Sequence, residues 1–175
     1  MPYLLRKIRR SKWYSKEEGL DWLPEEEVQA DALTDLITKS NQLSVWFVPE
    51  DRGNISKIVA ALSLSGDNVS VVDYALLNVE ILSKEGFQIA ENPGGTPFES
   101  ANLWHRDIVN LSAGKVLKLV TILKKAEKNR CLDKQALEHI KEALRDGKVD
   151  LSKINLKLHQ SLTRRGIVLN IPATS

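Results

Sequence analysis

The stretch NLWHRDIVNLS (102–112) contains His105-Arg106-Asp107, the tripeptide that opens the catalytic loop of protein kinases. Whether it is such a loop or a helix that spells one decides how the middle of the chain folds. The kinase reading fails on spacing and context. That loop needs an Asn at D-x-x-x-x-N spacing to hold magnesium, whereas Asn110 follows Asp107 after only two residues. No glycine-rich phosphate loop or Val-Ala-Ile-Lys strand precedes it, no Asp-Phe-Gly follows, and 175 residues are too few for a kinase domain. Trp104, Ile108 and Leu111 recur at i, i+4 and i+7, so the spacing predicts a helix with these three on its buried face. In such a helix His105 and Asp107 point apart and share no proton, and Arg106 and Asp107 are solvated charges.

Immediately upstream lies ENPGGTP (91–97), the most irregular stretch of the chain. Thr96 reads as a helix cap, Pro97 as the first helical residue and Glu99 as the acid that closes a capping box. The loop lacks the lysine and spacing of a phosphate-binding P-loop, so Gly94 and Gly95 read first as a tight turn. A glycine-rich approach to a helix N-terminus also suits an anion. Gly94, Gly95, Thr96 and His105 therefore form a candidate anion or ligand loop.

Further out, LSVWFVP (43–49) is short, aromatic and β-branched and ends in proline, which predicts a strand. Ile55, Ile58, Val59 and Leu62 predict an amphipathic helix capped by Asn54 and running to about Ser65. VSVVDY (69–74) and FQIA (87–90) are further strand candidates, with a short helix over 76–84 closed by Gly86. Pro24 opens a predicted helix carrying Val28, Ala32, Leu33, Leu36 and Ile37. Beyond the opening stretch, Ser112-Ala113-Gly114 interrupts the helix before VLKLVTIL (116–123). Asp133 caps a helix with Leu137, Ile140 and Leu144, ended by Gly147, and Leu151, Ile154, Leu158 and Leu162 mark another, ended by Gly166. IVLNIP (167–172) reads as a last edge strand or a tail. These elements predict a helix-rich α+β fold, with a few short strands in the middle section and a helical C-terminal third packed as a small bundle. The expected organisation is a basic and aromatic arm or short edge strand over 1–23, an α+β core over 24–130, a helical extension packed on the core over 131–166, and a tail over 167–175.

Chemistry is sparse. His105, His139, His159 and Cys131 lack the i, i+3 or i, i+4 spacing of a helical metal pair, so neither metal nor cofactor is expected. Arg130 and Lys128 near Cys131 suit a lowered thiol pKa, but without a nearby His this cysteine reads as an ordinary packed or exposed residue. No Gly-x-Ser-x-Gly elbow supports a hydrolase triad. Asp146-Gly147-Lys148-Val149-Asp150 resembles a nuclease acid–lysine set only superficially, since Gly and Lys are expected at a helix end. A single cysteine fits a reducing compartment, and no apolar run approaches the roughly 18 residues of a membrane span. A cytoplasmic location with no membrane contact is expected.

Charge is the remaining signal. Residues 1–16 carry six bases and no acid, 17–35 carry eight acids and no base, and 115–165 carry fourteen bases against six acids. Arg6, Lys7, Arg9, Arg10 and Lys12, with Trp13 and Tyr14, are candidate contacts to nucleic acid or a protein partner, by phosphate neutralisation and base stacking. The same arm also suits a self-neutralising contact with the acid-rich segment, within the chain or across a homo-oligomer, or a solvated face. With no assembled catalytic set, and with Trp13, Trp22, Trp46 and Trp104 as candidate anchors, the leading expectation is a non-enzymatic protein. It would be a small cytoplasmic subunit or adaptor docking on a larger protein. The alternatives are a nucleic-acid-binding accessory protein using the arm and the basic C-terminal helices, and a small enzyme with a pocket at the PGGTP loop and His105.

Overall fold

The first residues form a strand because Leu4, Leu5 and Ile8 bury on its two sides, as both-face burial in a sheet interior demands. This strand, β1 (Tyr3–Ile8), pairs antiparallel with β2 (Leu43–Val48) and β3 (Val72–Asn78). The computed structural model describes residues 1–13, 23, 24 and 27–169. With β4 (Gln88–Glu91), β5 (His105–Val109) and β6 (Glu127–Cys131), the sheet has six strands in the order β4-β5-β2-β1-β3-β6. The helices are α1 (Ile55–Leu64), α2 (Val79–Lys84), α3 (Glu99–Asn102), α4 (Ala113–Lys125), α5 (Asp133–Arg145) and α6 (Leu156–Arg164). Short 3-10 turns cover Arg10–Trp13, Ala30–Leu36 and Leu151–Lys153. The expected mixed α+β class is the class observed.

The chain divides into two compact units. The first comprises Met1–Asp51, Asp73–Asn92 and Arg106–Arg130 and holds the sheet. Its core joins Leu4 and Ile8 of β1, Leu43 and Val45 of β2, and Ala75 and Leu77 of β3. Leu82 from α2 and Leu119 and Leu123 from α4 close over that face. Side chains of Asn78 and Ser112 cap the two helices, accepting from the Glu80 and Lys115 amides at 2.8 and 3.3 Å.

The second unit comprises Arg52–Val72, Pro93–His105 and Cys131–Ser175. Here α1 packs against α5 and α3, and the bridge between Phe98 and Val149 is flanked by Glu99 N–H donating to Lys148 O at 3.1 Å and Asp150 N–H donating to Pro97 O at 2.8 Å. Asn155 caps α6 by accepting from Leu158 N–H at 2.8 Å, and its amide donates to Gly66 O at 2.9 Å.

The architecture corrects several expectations. Residues 3–8 are an interior strand, not an arm or edge strand, and Tyr14 to Trp22 lie outside the described residues. The helix expected from Pro24 is instead the 3-10 turn Ala30–Leu36, with Glu25 and Glu26 also outside the described residues. The two units interleave along the chain, with α1 packed against α5. Residues 167–169 carry no regular structure, and 170–175 are outside the described residues. The strand expected at 69–74 shifts to β3, and β6 was not anticipated.

The largest correction concerns NLWHRDIVNLS. It is not a helix: His105–Val109 is β5, paired antiparallel with β4 through Ile89↔Ile108, Ala90↔Asp107 and Glu91↔Arg106. The turn expected as a capped helix start at Thr96 yields only α3, which begins at Glu99. On a strand, alternate residues share a face. Ile108 therefore joins the core of the first unit, with Arg106 on the same side, its guanidinium 6.0 Å from the Phe47 ring centroid. Asp107 points to the other side, buried, and accepts hydrogen bonds from Ser44 Oγ at 3.3 Å and from Asn92 Nδ2. We predict that Asp107→Ala costs about 1–3 kcal/mol in urea unfolding, since it removes a buried carboxylate that accepts two side-chain hydrogen bonds. A solvated helix charge would be replaced within roughly 0.5 kcal/mol, and that result would restore the helix.

Candidate functional site

The basic segment meets its acids within the first unit. Arg6 alternates with Leu4 and Ile8, so its side chain leaves the same face of β1. Its Nε donates to Asp35 O at 3.0 Å and its Nη1 to Ser44 O at 2.8 Å. Burial pushes the Arg6 pKa down, and the Asp35 charge pushes it back up in part. The Asp35 carboxylate accepts from the Trp13 indole N–H at 2.8 Å and from the Arg9 amide at 2.7 Å. Lys12 donates to Thr34 Oγ1 at 2.6 Å and to Asp31 O at 3.1 Å. Asp73 accepts from the Arg10 amide at 3.2 Å and binds the Arg130 guanidinium in bidentate fashion at 2.7 and 3.1 Å.

Three of the candidate contact residues, Arg6, Lys12 and Trp13, therefore hold the fold with their side chains. Trp13 is 3% exposed, which leaves it no face for a base to stack on. Arg6 and Lys12 are held by the 31–35 segment, Lys7 and Arg9 remain exposed, and Tyr14 lies outside the described residues. Asp35, the organiser of this cluster, is the residue that sequence reasoning passed over, because nothing local sets it apart from the other acids of its run. Trp13→Phe is predicted to cost about 1–3 kcal/mol in chemical unfolding, because it removes a buried indole donor. Arg9→Glu, changing a side chain outside the cluster, is predicted to stay within about 0.5 kcal/mol.

The PGGTP loop is also occupied from within. Asn102, buried at the end of α3, accepts at its side-chain oxygen from Thr96 N–H at 3.0 Å and from Thr96 Oγ1 at 2.7 Å, and donates to Thr96 O at 3.0 Å. The Gly94 amide donates to Asn102 O at 3.0 Å. The Thr96 amide, within the candidate anion loop, thus already has an acceptor, and α3 is a single turn of four residues. A Cβ on Gly94 would sit 2.9 Å from Asn102 Oδ1 and 3.2 Å from His105 Cβ, whereas one on Gly95 meets nothing within 4 Å. His105, half-buried, forms one wall of this close approach. Gly94→Ala is predicted to lower the thermal midpoint and Gly95→Ala to leave it unchanged or slightly raised. Equal effects would refute the clamp.

Cys131 is buried, and burial raises its thiol pKa, against the lowered value that its basic neighbours suggested. Among the described residues no three His, Cys, Asp or Glu side chains gather as a metal site requires. No described helix is long and apolar enough to cross a membrane.

One solvent-open face of the first unit is that of α2 and α4. A cavity of about 360 Å³ lies there, with Tyr3, Leu76, Ile122 and Ala126 among its lining and Ile81 and Thr121 beside them. Ile81 is 48% exposed, and Leu117, on the outer stripe of α4, 63%. α4 carries Lys115, Lys118, Lys124 and Lys125 and no acid. Lys118 reaches Glu85 of α2 at 3.3 Å. Lys128, just beyond the helix, donates to Lys124 O at 2.6 Å and to Ala126 O at 3.2 Å, satisfying carbonyls at the helix end. Burial and then the Lys124 charge lower its pKa. Comparison with protein-family models, with curated proteins and with solved structures finds no match.

Proposed function

We propose that this chain is a non-enzymatic interaction protein, a small cytoplasmic subunit or adaptor that docks on a larger protein through the α2–α4 face. The observation that carries the reading is the concave, largely apolar groove with the exposed side chain of Ile81 beside it and that of Leu117 further out on α4. Apolar side chains at a groove, rimmed by polar groups, give the desolvated anchor that interfaces require, whereas scattered surface leucines do not. Glu85, Lys125 and Glu127 line the groove, which favours a partner that presents an aliphatic or aromatic anchor within a rim of mixed charge. Ile81→Asp and Leu117→Asp alter exposed positions and are expected to keep the fold. Partner affinity, measured by calorimetry after capture from the native host, is predicted to fall at least tenfold for each. Unchanged affinity in both variants would refute the assignment of this face.

A second reading has its own observation. The four lysines of α4 lie on a helix with no acid of its own, although Lys118 pairs with Glu85 of α2, and such a row suits phosphate neutralisation. Nucleic-acid binding by this helix would show a slope of log affinity against log salt of roughly −3.6 at most, from four neutralised phosphates. It would be lost in a Lys124→Glu, Lys125→Glu double variant.

A further inference from the structure

The second unit holds a cavity of about 470 Å³ at the C-terminal end of α5. Its apolar lining comes from Leu144, Val149 and Leu151 on one stretch of chain and from Ile167, Val168 and Leu169 on another. The charged residues that line it are Lys141 and Arg145, and no acid joins them. A cation in the last turn of a helix is expected from the helix dipole alone, so Arg145 by itself signals nothing. The signal is the combination of two cations at one side, a continuous aliphatic wall and no lining carboxylate. Lys141 is engaged by Glu138 at 2.7 Å, a carboxylate that also feels the Arg145 charge, while the Arg145 side chain is exposed. The cavity lies within the size range of small-molecule sites, and Val168 remains 77% exposed at its edge.

We propose that this cavity binds an anionic amphiphile, a free carboxylate with a saturated aliphatic chain. The guanidinium of Arg145 takes the carboxylate, Lys141 adds a second donor, and Leu144, Val149, Leu151 and Ile167 cover the chain. Arg suits this task because its planar fork matches a carboxylate in two parallel hydrogen bonds. The aliphatic wall supplies affinity in proportion to the apolar area it removes from water. The cavity belongs to the second unit, so the proposal is independent of the docking face on α2 and α4.

The test is calorimetric titration of the full chain with dodecanoate below its micellar concentration, and with dodecanol as a neutral probe of the same length. Saturable binding of dodecanoate at one site is expected, with dodecanol at least tenfold weaker. Arg145→Glu, an exposed change whose thermal midpoint is checked against the parent, is expected to weaken dodecanoate at least tenfold and dodecanol little. Leu144→Asp is expected to weaken both. The proposal is overturned if the full chain gives no saturable binding, if the two probes bind alike, or if Arg145→Glu leaves dodecanoate affinity unchanged.

Discussion

A guanidinium on the inward face of an interior strand must be given acceptors before the sheet can close, and Asp35 supplies them. Arg6 stands between Leu4 and Ile8 on β1, where an uncompensated charge would be costly. Its hydrogen bonds to the carbonyls of Asp35 and Ser44 tie β1 to β2 and to the 30–36 turn at once. The Asp35 carboxylate then draws in the Trp13 indole and the Arg9 amide, so the chain leaving β1 turns back over the core rather than extending into solvent. Asp73 repeats the arrangement on the other side of β1, holding the Arg10 amide and Arg130. In the described part of the basic segment, Arg6, Lys12 and Trp13 tie the chain to the 31–35 stretch.

That conclusion moves the functional question away from the N-terminus. Arg6 and Lys12, held by the fold, contribute little to a ligand, whereas the lysines of α4 face no acid on their own helix and Lys118 reaches one on α2. Two of the exposed aliphatics of the first unit, Ile81 on α2 and Leu117 on α4, accompany those lysines. In the second unit the helical packing leaves a different kind of concavity, aliphatic and cation-lined, at the end of α5. Neither feature involves His105 or the glycine loop, where Asn102 and Thr96 satisfy one another's hydrogen-bonding groups.

How much of this was legible depended on where each element's partners lie. β2 and α1 could be read because their own periodicity and the punctuation at Pro49 and Asn54 suffice. β1 could not, since Arg6 and Lys7 interrupt its aliphatic pattern and the acceptor that makes Arg6 tolerable lies 29 residues away. β6, Glu-Lys-Asn-Arg-Cys, has no aliphatic residue and is a strand by virtue of its place in the sheet. β5 was misread for a related reason. Trp104, Ile108 and Leu111 fit helical spacing, but Ile108-Val109 is β-branched and the ladder with β4 decides the outcome. At the candidate site the charge blocks were visible, while the acid that organises them and the Asn102 clamp were not, because both act through tertiary contacts.

Native-state hydrogen exchange of the Trp13 indole N–H tests the account most directly, because that proton is donated to the Asp35 carboxylate only when the segment is folded back. The account predicts exchange slowed to the rate set by global unfolding, in step with the amides of β1. Exchange at the rate of a solvent-exposed indole, while the sheet amides stay protected, would contradict it and return the first residues to the role of a free arm.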